Sequence, residues 1–388
     1  MLKHISARAA LSTVLFIATG ILGTEWTVAA VTSIRLAAVP ALTSVTHSNP
    51  VDPAAASAKL SGRAYDWLLH QQSPSGLLGN QEGDDYSVVY ANALAALCFL
   101  HQGDVPSAER VFRAFRDHFD EEFAAGTPGG FHQGWSVRTG KAAASTDRWE
   151  ADNAWLLIAL NCCRKMTGRP DFDGMREGVA AWLMKLQDSD GGILAGFHGD
   201  GTPMKFKSTE GNLDSYAALV DYPGPRARIL EWLKSRMWVP DQHRFRMGST
   251  TDETALDGIS WGICALGPEF AGELDYARSH FSRKLYAERI GAVVEGFADF
   301  QRKNRIWFEG TGQIAVAMEV ASCDLEAGRC ISELEKVLAA PGSKGIPAFS
   351  NDADWPGAAT KPFVASHAWY LFAKWRYNPM RTSDTFPN

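Results

Sequence analysis

Five acidic clusters recur along the 388-residue chain, each opening an apolar run: EGDDYSVVYANALAAL from Glu82, DRWEADNAWLLIAL from Asp147, STEGNLDSYAAL from Ser208, TDETALDGISWGICAL from Thr251 and WFEGTGQIAVAM from Trp307. Runs this apolar suit buried helices, so only their first turns are left to meet water or a ligand. In STEGNLDSYAAL, a cap at Ser208 or Thr209 puts Glu210 in the first turn and Asp214 four residues on, along the same helix face. The helix dipole accounts for Glu210 alone. Asp214, inside an apolar helix, needs a core hydrogen bond or a ligand.

The other clusters repeat this chemistry. DRWEADNAW sets Glu150, Asp152 and Asn153 between Trp149 and Trp155, an aromatic plate with hydrogen-bonding groups that suits a sugar ring. TDETALDGISWG places Glu253 and Asp257 at helical spacing before Trp261. Glu309 follows Trp307 and Phe308, where burial raises a carboxyl pKa and keeps the group protonated, as a general acid requires. Glycoside hydrolysis needs two carboxyls, one protonated toward the leaving oxygen and one ionised to activate water or attack carbon. Glu210 or Glu309 is the expected acid and Asp152 or Asp85 the expected base. Asp214, Glu253, Asp257, Glu150 and Asn153 are the expected hydroxyl-binding or tuning groups. Trp135, Trp149, Trp307 and Trp355 are candidate stacking rings, set against the ordinary use of tryptophan as interface filler. His132 in FHQGWS, His198 in GFHGDG, Asp352 and Asp354 in NDADWPGAATKPF, and His367 are further mouth candidates.

Positioning these residues takes many helices. Apolar periodicity predicts helices near 58–72, 86–101, 106–123, 150–165, 173–187, 211–221, 226–236, 253–266, 274–300, 310–322, 331–339 and 367–376, with no strand ladder. Apolar helices alternate with amphipathic ones such as RVFRAFRDHFDEEF and SELEKVL. That alternation predicts an all-α (α/α)6 toroid of six helical hairpins, with the inner helix N-termini at one mouth and the sixth inner start at Ala365.

Three segments, WLLHQQSPSGLLG, WLMKLQDSDGGILAG and FADFQRKNRIWFEG, carry a helix end into a Gln and a polar turn. This pattern resembles the six-hairpin glycosidase superfamily and also the terpenoid cyclase and prenyltransferase toroids. The first resemblance implies an inverting hydrolase on a poly- or oligosaccharide, and an open cleft would make it endo-acting.

A formal charge of −6 gives no basic surplus for nucleic acid, and a mouth ringed by carboxylates repels a polyanionic uronide, so a neutral glucan-type substrate is expected. Competing readings are a polysaccharide lyase using Tyr86, Tyr90 or Tyr216 with Arg148 and His132, a terpenoid cyclase or prenyltransferase, and a non-catalytic glycan-binding protein. No CxxC or HExxH occurs, so neither metal nor cofactor is expected. Residues 1–30 read as a secretory signal, with Lys3 and Arg8 before an apolar stretch and Thr27-Val28-Ala29-Ala30 as the cleavage zone. A secreted or periplasmic monomer is expected, without a further membrane anchor, with a lead-in over 31–57 and the toroid over 58–388. Cys98, Cys162, Cys163 and Cys264 fall in apolar helices, while Cys323 and Cys330 are candidates for a disulfide.

Overall fold

The computed structural model describes residues 53–351 and 357–381. The expected signal, residues 31–52 of the lead-in, and Asp352, Asp354 and Trp355 lie outside the described residues. Helix α1 (Pro53–Gln71) begins inside the segment read as lead-in. It is followed by α2 (Val89–His101), α3 (Val105–Arg116), the single turn α4 (Phe119–Glu122), α5 (Glu150–Thr167), α6 (Asp173–Lys185) and α7 (Thr209–Ala218). The remaining helices are α8 (Pro223–Trp232), α9 (Leu256–Leu266), α10 (Glu273–His280), α11 (Phe308–Val320), α12 (Asp324–Ala339) and α13 (Val364–Lys374).

Helices α2, α5, α7, α9, α11 and α13 each pack on the next, and α13 packs back on α2, so the six close a ring. Helices α3, α6, α8, α10 and α12 pack outside their inner partners. Helix α1 joins this outer layer beside α12, where Ser57 meets Glu335 and Arg63 donates to the Leu338 carbonyl. The fold is the expected (α/α)6 toroid. Composition separates the two layers: every residue of α9 is buried, whereas α3 turns Val111, Phe112 and Phe115 inward and keeps Arg113 and Arg116 at the surface.

A second regularity lies in the inner helices. Their fourth residue is polar in five of six, and each accepts a hydrogen bond from a backbone N–H of the incoming loop: Asn92 from Leu78 at 2.9 Å, Asn153 from Phe131 at 2.8 Å, Asn212 from Ile193 at 2.7 Å, Thr311 from Phe297 at 3.1 Å and His367 from Ile346 at 3.2 Å. Only α9 departs, with Ile259 in that place. Loop backbone buried against an apolar helix needs such partners. The glutamine repeat does related work. Gln72 donates to the Gly76 and Ser107 carbonyls at 2.9 Å each, and Gln187 donates to those of Gly191 and Pro225 at 2.8 and 2.9 Å. Gly191 turns at φ +97°, and a Cβ there would stand 2.5 Å from the Arg228 carbonyl oxygen, so only glycine fits.

Three local expectations are corrected. EGDD leads into strand β1 (Tyr86–Val88), paired antiparallel with β2 (Gly134–Ser136), and the helix starts only at Val89. Residues 251–255 are non-helical before α9, so Glu253 shares no helix with Asp257. The helix expected over 274–300 is α10 followed by a hairpin, with Tyr286, Val293, Val294 and Phe297 favouring extended backbone on either side of a turn at Gly291, where φ is +70°. With the short strands β3 (Arg148–Trp149), β4 (Gly196–Phe197), β5 (Pro203–Met204), β6 (Trp238–Val239) and β7 (Arg244–Phe245) before it, that hairpin is β8 (Ser282–Ala287) and β9 (Ala292–Phe297). All six cysteines are free, and Cys323 and Cys330 are not bridged. No helix among the described residues is long and apolar enough to cross a membrane.

The loop clamp predicts that Asn212→Ala, which strands the buried Ile193 N–H, lowers stability by about 1–3 kcal/mol. Urea denaturation measures it, and an unchanged midpoint would contradict the role given to that side chain.

Candidate functional site

Helix N-termini are where carboxylates are tolerated inside a protein, because free N–H groups and the dipole offset part of the charge. Four consecutive inner helices use this. Their first turns hold Glu150 and Asp152 on α5, Glu210 on α7, Asp257 on α9 and Glu309 on α11, with Asp214 one turn deeper on α7. Hydrogen bonds join these first turns around one end of the ring. The Tyr90 N–H of α2 donates to Asp152 at 3.0 Å, and Ser208, whose hydroxyl caps α7, donates to Glu150 at 3.0 Å. The Tyr90 hydroxyl donates to Glu309 at 2.7 Å.

The six acids form a pit with two levels. Glu210, Asp257 and Glu309 keep 9%, 7% and 5% of their surface exposed and form the rim, while Glu150, Asp152 and Asp214 are sealed below. Among the described residues no Lys, Arg or His forms an ion pair with any of them. Burial therefore dominates their ionisation. It pushes Glu150 up to about 8, Asp152 to about 7, Glu309 to about 7 and Asp257 to about 6, and holds Asp214 well above the carboxylate range. Glu210 is raised well above its ordinary value by burial and then by the charges of Asp257, Asp214 and Glu150, with its carboxyl against that of Asp257. Glu210 therefore holds the proton of the pair, and the Gly258 N–H, donating at 2.8 Å, supports the charge on Asp257.

Glu309 is wired the opposite way. The Trp369 indole, a donor only, gives its N–H to the Tyr90 hydroxyl at 2.8 Å, which leaves Tyr90 to donate onward to Glu309 Oε1. Gln313 Nε2 donates to the same oxygen at 3.3 Å, while Gln313 Oε1 accepts from Ser260 at 3.0 Å. Both fixed donors favour the ionised form.

The remaining candidates are dispersed. Asp85 is at the surface, where the Arg138 N–H, then Ser136 and the Arg138 guanidinium hold its pKa down, and it is not in the pit. Glu253 is exposed, 3.9 Å from Arg302. Trp135 is sealed in the core against Phe115 and donates to the His132 carbonyl at 2.7 Å. His132 is buried against Glu122 at 2.8 Å, as is Arg148 at 2.6 Å, so both are committed elsewhere. His198 is exposed, 3.7 Å from Asp147. Asn153 spends its amide on the Phe131 and Trp149 carbonyls, and His367 stacks on Trp67 at 4.2 Å with its pKa lowered by burial to about 4. Trp149 and Trp307 stay partly exposed immediately before α5 and α11, at the rim.

Sequence reasoning missed the support: Gln133, Gln313, Ser260, and the shared place of the sixth residues of the inner helices, of which Asp214, Trp155 and Trp261 were noted only singly. Those sixth residues, Leu94, Trp155, Asp214, Trp261, Gln313 and Trp369, lie one turn below the rim. Trp155 meets Trp261 at 5.4 Å and Trp369 at 5.8 Å between ring centroids, and together they floor the pit. A sixth-place spacing common to all six runs was the readable signal. Among the described residues no group of three His, Cys, Asp or Glu is arranged to hold a metal ion.

An all-helical double ring with an acid-lined pit at its inner N-termini is thus the class of molecule at hand. No family model and no curated protein matches the chain. Solved structures match over most of it. A glycosidase in complex with glucose shares 13% identity at a TM-score of 0.64, covering 84% of this chain and 98% of that one. An alpha-amylase from Clostridium perfringens shares 11% at 0.59 over 82% and 98%, and a D-mannose isomerase shares 12% at 0.60 over 86% and 100%. At such identities the likeness is one of fold.

The raised Glu150 has a thermodynamic consequence. Between about 4.3, the value of an unperturbed Glu, and the folded value, folded Glu150 keeps a proton that the unfolded chain releases, so its contribution to stability falls as pH rises. Across that window Glu150→Gln, which still accepts from Ser208, flattens the decline by up to about 1.4 kcal/mol per pH unit. Urea midpoints of both proteins from pH 5 to 8 measure it, and parallel curves would contradict a protonated Glu150.

Proposed function

We propose that the chain is a glycoside hydrolase acting on a glycan without acidic groups, neutral glucans being the first class to test. The observation that carries this reading is the arrangement of carboxyls at one rim, Glu210 against Asp257 with burial and neighbouring acids raising its pKa, and Glu309 accepting from Tyr90 and Gln313. Glu210 is the general acid that protonates the leaving oxygen, and Glu309 is the base. This narrows the earlier alternatives, in which Glu309 was as good an acid as Glu210 and Asp152 or Asp85 the base. Asp152, sealed under the Tyr90 N–H and Gln133, positions the α2–α5 corner.

In the ring α9 stands between α7 and α11, which supports the wider carboxyl separation, about 6.5–9.5 Å, that leaves room for an attacking water and gives inversion. The narrow exposure of the rim favours a chain end over the endo action expected of an open cleft. Trp149 and Trp307 offer apolar faces to the outer sugar units. Export rests on the signal-like residues 1–30. The lyase reading has less to work with, since Arg148 and His132 are bound to Glu122.

A reducing-end assay against neutral α- and β-glucans, with absorbance for unsaturated products and chromatography for isomerised sugars, tests the reaction class. New reducing ends without unsaturation are expected, and Glu210→Gln and Glu309→Gln each lower kcat by about 10²–10⁴-fold. Unsaturated products, isomerised sugars, or full activity in both variants would reject the hydrolase.

A further inference from the structure

We propose that Trp369 on α13 and Ser260 on α9 are positioning residues for Glu309: each holds one of the two side chains that donate to its carboxyl, Tyr90 and Gln313, in the donating orientation. The proposal rests on the reading of Glu309 as the base and adds two residues, both sealed in the core, that set how readily it ionises.

Each donor to Glu309 Oε1 has a second way to sit. A phenol hydroxyl accepts as well as donates, and an amide presents either its oxygen or its nitrogen. What removes the choice lies one layer further out. Trp369 Nε1 only donates, and its 2.8 Å bond fills an acceptor site on the Tyr90 oxygen, so the phenol proton is left for Glu309 at 2.7 Å. Ser260 donates to Gln313 Oε1 at 3.0 Å, nearer than its alternatives, the Leu256 and Asp257 carbonyls at 3.3 Å each. Gln313 Nε2 is thereby turned to Glu309 at 3.3 Å. Four of the six inner helices, α2, α9, α11 and α13, converge on one oxygen.

Packing aims the indole. Its ring stacks along Trp261 at 6.3 Å and stands edge-on to Trp155 at 5.8 Å. Beside Gln313, Gly312 admits the Trp369 backbone, where a Cβ would stand 2.9 Å from it. Trp155 and Trp261 share this floor, yet their N–H groups have no partner; of the three, Trp369 alone is turned to a residue that touches a rim carboxyl. A donor that is itself hydrogen-bonded donates more strongly, by about 10–30% per bond, so the outer bonds act on Glu309 through the inner ones.

Few titratable groups face Glu309. Helix α2 contributes Tyr90, whose proton burial holds far above neutrality, and α9 contributes Asp257, whose pKa burial raises to about 6. On α13, His367 is bound to Phe363 and Ile346, Tyr370 to Glu335 and Lys374 to Ser57. Neither Trp369 nor Ser260 bonds the Asp257 carboxyl, so a change at either one reports on Glu309.

NMR of the full chain with glutamate labelled at its carboxyl carbon reads the Glu309 titration midpoint whether or not a glycan is cleaved, the signal being identified by its loss in Glu309→Gln. Replacing Trp369 with benzothienylalanine, which keeps the ring volume and removes the N–H, raises the midpoint by about 0.2–0.6 pH unit, and Ser260→Ala does the same. The first change adds nothing in a Tyr90→Phe background, nor the second in Gln313→Leu. A merely structural role lowers Tm and leaves the midpoint in place. An unmoved midpoint in either variant, or an equal shift with and without Tyr90 or Gln313, would overturn the positioning. Where a glucan is cleaved, the acid limb of kcat/KM moves with the midpoint. A midpoint that moves while the limb stays keeps the wiring and rejects Glu309 as the base, and a protein that cleaves no glycan loses the hydrolase reading while the midpoints still decide the wiring.

Discussion

Six carboxyl groups share one largely buried site where no cation among the described residues pairs with them, and the rest of the architecture answers that constraint. An isolated ionised carboxylate in such a place is prohibitively costly, so each group must take up a proton or be held by oriented dipoles. Closing six helices into a ring supplies the dipoles, because all the first turns meet at one end. Where dipoles and hydrogen bonds are strongest, at Asp257 with the Gly258 N–H and at Glu309 with Tyr90 and Gln313, charge is accommodated most easily. Where they are lacking, at Asp214, the group stays neutral. Opposed protonation states within one pit thus follow from burial and need no cationic partner.

Such a pit works only if the helix starts are held in register. The fourth-residue clamps do this by tying each incoming loop to the helix it precedes, and the glutamine turns fix the loops at their other ends. Second, fourth and sixth places of the inner helices then divide the labour: the second points Tyr90, Glu210, Asp257 and Glu309 at the rim, the fourth anchors loops, and the sixth builds the floor. Residues with no contact to a ligand decide whether the carboxyls meet.

Much of this was legible in the chain. Apolar runs with acidic heads gave the inner helices and their common mouth, and Glu210 with Asp214 at a spacing of four was read correctly as one face. What escaped was the partner of each polar residue. Asn153 and His367 look like ligand groups when surrounded by aromatics, but a loop N–H more than 20 residues away claims each of them, and single-residue chemistry cannot reveal a pairing that only ring closure creates. Asp85 and Glu253 failed differently: each sits in a non-helical approach segment, and moving a carboxylate a few residues ahead of the helix start transfers it from the pit to the surface. The β8–β9 hairpin was lost because residues 282–297 mix charged and apolar side chains without a clean alternation, so no period separated strand from helix.

The opposed proton states at the rim are the central claim, and the pH dependence of kcat/KM on a cleaved glycan tests them most directly. An acid limb near 7, set by ionisation of Glu309, is predicted, followed by a fall at higher pH as Glu210 loses its proton. Because the Tyr90 hydroxyl lowers the Glu309 pKa, Tyr90→Phe should move the acid limb to higher pH and leave the alkaline one in place. An acid limb that is absent, or identical in the two proteins, would contradict the assignment of Glu309 as the ionised partner.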